Sequence, residues 1–187
     1  MSKFMSLAVH LAIVFFGLFS TAWAQPKLQT YRKALDRRTE IQGYTCATGV
    51  AWFFSSGRLN RCTLAKETAF GVAVVPVGSI VTLREDGKPE FAFLSRDTWI
   101  AGTKCRGGSW LGPGEGASTA FYPSGKLKQC FLAGDQTVQG VPCMNGGLFG
   151  DGIGSGILFY ETGRLKSCKL AEDFDVLRRG ERFVQEP

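Results

Sequence analysis

One phrase recurs along this chain and constrains its fold more than any other feature. Phe53-Phe54-Ser55-Ser56-Gly57-Arg58-Leu59-Asn60-Arg61-Cys62-Thr63-Leu64-Ala65 is one copy. Phe121-Tyr122-Pro123-Ser124-Gly125-Lys126-Leu127-Lys128-Gln129-Cys130-Phe131-Leu132-Ala133 and Phe159-Tyr160-Glu161-Thr162-Gly163-Arg164-Leu165-Lys166-Ser167-Cys168-Lys169-Leu170-Ala171 are two more. A degenerate fourth runs Leu83-Arg84-Glu85-Asp86-Gly87-Lys88-Pro89-Glu90-Phe91-Ala92-Phe93-Leu94-Ser95. A chain that writes one short unit several times folds by repeating one local structure.

That local structure is a β-hairpin. Apolar residues lead into a four-residue turn that ends at Gly57, Gly87, Gly125 or Gly163. Pro123 presets the backbone for a type I turn, and Gly accepts the positive φ that follows. The combination predicts a three-residue loop with a bulge at the Gly. In that register Phe53 faces Leu59, Phe121 faces Leu127 and Phe159 faces Leu165. Hairpins are expected near 50–64, 79–94, 118–132 and 156–170.

The first 24 residues read as a secretory signal peptide. Lys3 supplies the positive start, Leu7 to Phe19 the apolar run, and Ala22-Trp23-Ala24 a small-x-small site before Gln25. Cleavage after Ala24 leaves enough chain for one domain with a core of its own, expected over 40–187. Only Lys3 among the charged residues departs, so the formal charge falls from +6 to +5. The sole histidine, His10, departs too. No later apolar stretch is long enough to cross a bilayer as a helix, so the mature chain is expected to have no transmembrane segment and to be periplasmic or secreted.

All six cysteines remain after cleavage, and an even count in an exported chain argues for disulfides. Six cysteines allow 15 pairings, which the repeat prunes. Gly87, Gly125 and Gly163 are spaced by 38 residues, as are Cys105 and Cys143, and Cys130 and Cys168. Each unit therefore has two cysteine slots. In the degenerate unit the second slot is Ala92, and aligning Gly71 with Gly140 places the first at Val74. Both cysteines vanish together, as partners would. The expected bridges are Cys46–Cys62, Cys105–Cys130 and Cys143–Cys168. A scheme joining successive units through Cys130–Cys143 would strand Cys62 and Cys105.

Residues 25–39 are basic, and Leu28, Tyr31 and Leu35 fall at helical spacing, which allows a short helix or a solvated arm. Connecting segments recur before the cysteines, at Glu40 to Cys46, Asp97 to Cys105 and Asp135 to Cys143. Each opens near an acid, and recurrence once per unit assigns that acid a turn or capping role. Gly-rich segments of equal length occupy 106–117 and 144–155. The tail from Glu172 begins another connector and is expected to supply the last strand, covering an open edge.

At the aromatic-aromatic-x-x-Gly-Lys/Arg-Leu motif the chain resembles MORN-type and MORN-variant repeats. It is also similar to exported bacterial proteins built from Cys-bearing repeats. The resemblance implies short hairpins stacked into an elongated or curved antiparallel sheet, and a binding or scaffolding role. It departs in its cysteines and its 38-residue period, and no functional residue carries over from it.

Composition removes several chemistries from the mature chain. Without His there is no Ser–His or Cys–His nucleophile, and paired cysteines leave neither a thiolate nucleophile nor a zinc cluster. No Gly-Lys-Ser/Thr phosphate loop is present. No cofactor, metal ligand or catalytic residue is assigned. Carboxylate-dependent glycan hydrolysis remains open but no acid pair is singled out. Trp99, Arg106, Trp110 and Tyr122 are candidates for a surface that stacks sugars or bases. The positive balance suits a polyanion partner. The expectation is an all-β, disulfide-stapled repeat protein that binds or scaffolds at the cell envelope, its ligand unassigned and an envelope glycan or polyanion the candidate partner. A secreted carboxylate-dependent glycan hydrolase and a polyanion-binding module are the alternatives.

Overall fold

A computed structural model describes residues 30–108, 118–145 and 156–172, with the backbone alone of 174–178 and 181–185. The expected signal peptide over 1–24 lies outside the described residues. So do Trp110 and most of the two Gly-rich segments.

Every regular element among the described residues is a β-strand. The first unit contains β1 (Thr30–Leu35), β2 (Thr39–Ile41), β3 (Tyr44–Cys46), β4 (Gly49–Phe54) and β5 (Leu59–Thr63). The second contains β6 (Thr68–Phe70), β7 (Ala73–Val75), β8 (Ile80–Leu83) and β9 (Pro89–Phe93). The third contains β10 (Thr98–Ile100), β11 (Thr103–Cys105), β12 (Ser118–Phe121) and β13 (Leu127–Cys130). The fourth contains β14 (Gln136–Val138), β15 (Val141–Cys143), β16 (Ile157–Phe159) and β17 (Leu165–Ser167). β18 (Phe174–Arg178) and β19 (Glu181–Gln185) follow.

Each unit thus holds two hairpins. The larger ones join edge to edge into a nine-stranded antiparallel sheet in the order β1-β4-β5-β8-β9-β12-β13-β16-β17. Their loops follow the sequence expectation. The Gly57, Gly87, Gly125 and Gly163 amides each donate to the carbonyl three residues back, at 2.8–2.9 Å, with φ between 80° and 89°. Phe53 faces Leu59, Phe121 faces Leu127 and Phe159 faces Leu165. The register then shifts by one residue at Asn60, Glu90, Lys128 and Lys166, a bulge present in every copy.

The connectors are hairpins too, which the sequence reading treated only as turns. Gln42-Gly43, Ala101-Gly102 and Gln139-Gly140 form two-residue loops with positive φ at both positions, the type I′ arrangement. In unit two the loop is Gly71-Val72, with positive φ at Gly71 only, the type II′ arrangement. These small hairpins pack against one face of the sheet. Phe70, Val75, Ile100 and Val138 from them, and Ala51, Leu59, Leu83, Phe121 and Phe159 from the sheet, share one buried cluster. Phe70 meets the Phe121 ring edge-on at 5.2 Å and the Tyr44 ring at 6.2 Å. Burying such side chains contributes about 1.5–3 kcal/mol each.

Cys46–Cys62, Cys105–Cys130 and Cys143–Cys168 tie each small hairpin to the sheet hairpin of its own unit. Backbone bonds flank each bridge. In unit one the Ala47 amide donates to the Thr63 carbonyl and the Ala65 amide to the Thr45 carbonyl, both at 2.8 Å. Each bridge closes a loop of 16 or 25 residues, worth about 3 kcal/mol in a chain-entropy account.

Unit two replaces this arrangement, and here one expectation is corrected. The residue in the first cysteine's place is Val75, not Val74. Val75 pairs with Thr68 as Cys46 pairs with Thr39 and Cys105 with Thr98. Val75 and Ala92 are both fully buried, whereas Val74 is 56% exposed. The II′ loop advances Gly by one position, so an alignment on glycine lands one residue early. Pro76 stands where Ala47 stands in unit one and has no amide hydrogen to donate. The Ser95 amide instead donates to the buried Ser79 hydroxyl at 2.9 Å, and the Ser95 hydroxyl donates to the Val77 carbonyl at 2.7 Å.

Two further corrections concern the ends. Thr30–Leu35 is a strand rather than a helical turn, paired along its whole length with β4. A short isolated helix is marginal in water, while β4 offers a full ladder of hydrogen bonds. The tail does not extend the sheet: β18 pairs with β19 as a separate hairpin. Among the described strands the sheet ends at β17, only three residues long and carrying Lys166, and at β1, carrying Arg32 and Lys33; a short edge and a charged edge each resist further pairing.

Candidate binding face

The face of the sheet turned away from the small hairpins is organised by register. Arg32, Trp52, Arg61, Thr82, Phe91 and Ala120 stand opposite one another on successive strands. The row continues through Gln129 and Leu158 to Ser167, so it crosses all nine strands. Alternation along each strand turns this row away from the core cluster, because its neighbours Ala51, Val81, Ala92 and Ile157 point into it; within the row Ala120 is covered.

Aromatic and basic groups interleave on this face. The Arg61 guanidinium lies 5.5 Å from the centre of the Phe93 ring. Beside the loops of units three and four the arrangement repeats. The Lys128 ammonium sits 5.9 Å from the Tyr122 ring, and the Lys166 ammonium 5.7 Å from the Tyr160 ring. The bulge creates this pairing by inserting one residue, Lys128 or Lys166, beside the tyrosine that follows the inward Phe121 or Phe159. The Tyr122 hydroxyl donates to the Phe159 carbonyl at 2.8 Å, which locks the two copies in step. In unit two the same places hold Arg84 and Glu90, which pair at 3.7 Å. Among the described residues no carboxylate lies within ion-pair distance of Lys128, Lys166 or Arg61.

The residues singled out from sequence do not converge. Tyr122 belongs to this face. Trp99, 66% exposed, lies on β10 in the layer of small hairpins, beside the inward Ile100, and so faces solvent on the opposite side of the domain. There it accompanies the exposed Val74 of the neighbouring β7. Arg106 follows β11, half-buried, its guanidinium donating to the Asn145 side-chain oxygen at 3.0 Å and its amide to the Phe131 carbonyl at 2.7 Å. Trp110 lies outside the described residues. Sequence reasoning missed Arg61, Lys128, Tyr160 and Lys166. The signal for the last three was present, since the aromatic residue before the turn and the Lys after Leu recur in units three and four.

The recurrent acids serve their loops. The Asp97 carboxylate accepts the Gly107 amide at 3.0 Å and the Asp135 carboxylate accepts the Asn145 amide at 2.7 Å, the same ten-residue reach in two units. Asp86 accepts the Lys88 amide at 3.0 Å, and that hydrogen bond holds its carboxyl below the usual range. Among the described residues no three His, Cys, Asp or Glu side chains converge to hold a metal ion. No helix among them is long and apolar enough to cross a membrane. The three disulfides fit an oxidising compartment.

Comparison with protein-family models, with curated proteins and with solved structures found no match.

Proposed function

We propose that the chain is an exported, non-catalytic repeat protein of the bacterial periplasm or exterior, released after Ala24, that binds an anionic polymer of the cell envelope on the outer face of its sheet. The observation carrying this reading is the repeated Tyr–Lys pair, Tyr122 with Lys128 and Tyr160 with Lys166. Equivalent positions in adjacent hairpins stand two strands apart, about 9–10 Å. An extended polyanion meets such a ladder with its charges on the ammonium groups and its sugar rings on the tyrosines. Arg61 and Arg32 continue the positive strip toward the first unit. The MORN-like repeat pattern agrees with a binding or scaffolding role.

Carboxylate-dependent glycan hydrolysis is the weaker reading, because Asp97 and Asp135 are occupied in loop hydrogen bonds. The test is chromatography of the oxidised protein on immobilised heparin and on an anionic envelope polysaccharide. Retention that weakens steeply with salt is expected, because screening shortens the reach of exposed charges. Lys128→Gln/Lys166→Gln should elute at markedly lower salt. Passage through the column at low salt would reject the proposal.

A further inference from the structure

A glutamine clamp present in units one and four is missing from unit three, and the space beside it is open. Gln42 and Gln139 hold the first position of their I′ loops, each with φ of 52°. The Gln42 side-chain oxygen accepts the Leu59 amide at 3.2 Å. The Gln139 oxygen accepts the Leu165 amide at 2.9 Å, and its nitrogen donates to the Gly163 carbonyl at 2.8 Å. Each clamp fastens a small hairpin to the loop of a sheet hairpin.

Ala101 holds the same loop position in unit three, with φ of 49°. Half of the missing amide is replaced. The Val72 amide, from unit two, donates to the Gly125 carbonyl at 2.9 Å, as the Gln139 nitrogen does to Gly163. The accepting half is not replaced: among the described residues no side chain takes the Leu127 amide, the counterpart of Leu59 and Leu165. Ala101 and Leu127 line a pocket of 180 Å³ whose walls include Val72 and Phe159, with Lys126 and Thr162 also lining it. Among the described residues no carboxylate pairs with Lys126.

We infer that this pocket binds a small monocarboxylate with a compact apolar body. The carboxylate takes the acceptor place vacated by glutamine, on the Leu127 amide, and faces the Lys126 ammonium. The hydrocarbon rests against Val72, Leu127 and Phe159. The volume slightly exceeds that of apolar cavities of about 150 Å³ that admit benzene, which suits roughly five to seven carbon atoms. Lys126 sets the preference for an acid over a neutral molecule of the same shape. This site is independent of the outer-face reading, since neither Lys128 nor Lys166 lines it.

Calorimetric titration of the oxidised protein with hexanoate tests the inference, with hexan-1-ol and acetate as controls. Saturable one-to-one binding of hexanoate is expected, with both controls weaker by about tenfold or more. Ala101→Gln supplies the absent amide and should raise Tm while abolishing binding. Lys126→Gln should leave Tm unchanged and weaken hexanoate about tenfold without affecting hexan-1-ol. Absence of saturable hexanoate binding overturns the inference. So does wild-type affinity in Lys126→Gln, which stays informative even if Ala101→Gln misfolds.

Discussion

Gly71 and Gly125 meet backbone to backbone across two repeat units. The Val72 amide donates to the Gly125 carbonyl at 2.9 Å, and a methyl group on Gly125 would lie 2.9 Å from the Gly71 Cα. Unit two is the one without a disulfide, and the tip of its small hairpin leans on the loop of the next unit. The II′ turn makes this approach feasible by placing glycine first in the loop.

Gly125→Ala should therefore cost more than the same change at Gly57. Both glycines have φ near 80°, but nothing lies within 4 Å of the methyl group that alanine would add at Gly57. The left-handed backbone alone costs about 1–2 kcal/mol. Displacing the Gly71 backbone brings the Gly125 change to about 3 kcal/mol. Guanidinium unfolding of the oxidised variants measures the difference; equal losses would show that the contact contributes nothing.

Val75→Cys/Ala92→Cys should complete the series of bridges. The two residues occupy the places of the paired cysteines in the other units and both are buried. A fourth bridge is expected to form spontaneously and to stabilise by about 3 kcal/mol. Intact mass without reductant shows the loss of two further hydrogens. Val74→Cys/Ala92→Cys, built on the glycine alignment, should form no bridge and show two thiols on titration in denaturant, because Val74 faces solvent while Ala92 is buried.

Gln139→Ala removes both hydrogen bonds of a clamp, to Gly163 and from Leu165. A loss of about 1–2 kcal/mol is expected at this exposed site. The change should appear as faster amide exchange at Leu165, with that at Leu127 unaltered. Uniform acceleration across both units would refute a local clamp.

Burial raises the Tyr44 phenol above its ordinary value of 10.0. The folded chain then holds that proton at a pH where the unfolded chain has released it. Stability is thus unaffected below about pH 10 and falls as pH rises beyond it. Tyr44→Phe should flatten the alkaline arm of the stability profile, measured by urea unfolding. An unchanged slope would exclude Tyr44 as its source.

What could be read from sequence was local chemistry repeated often enough to be compared with itself. The sheet hairpins were legible because a glycine with positive φ and a flanking Phe–Leu pair specify loop and register within a few residues. The disulfide scheme was legible because the degenerate unit lost both partners together. The small hairpins were half visible: the glycine before each cysteine marks them, yet Gln-Gly and Ala-Gly are weaker loop signals than Asn-Gly. The Val74 placement failed because a change of turn type slides the backbone by one residue, and a one-residue slip exchanges core for solvent.

Other features depend on contacts between segments far apart in the chain. Residues Tyr31 and Leu35 fit a helix or a strand equally, and the free edge of β4 chooses the strand by offering hydrogen bonds. Trp99 and Tyr122 read as companions along the sequence, but two packed layers send them to opposite surfaces. Spacing along a chain specifies dihedral angles and alternation. Which side of the molecule a residue faces is set by what covers its neighbours, and that is known only once the hairpins have stacked.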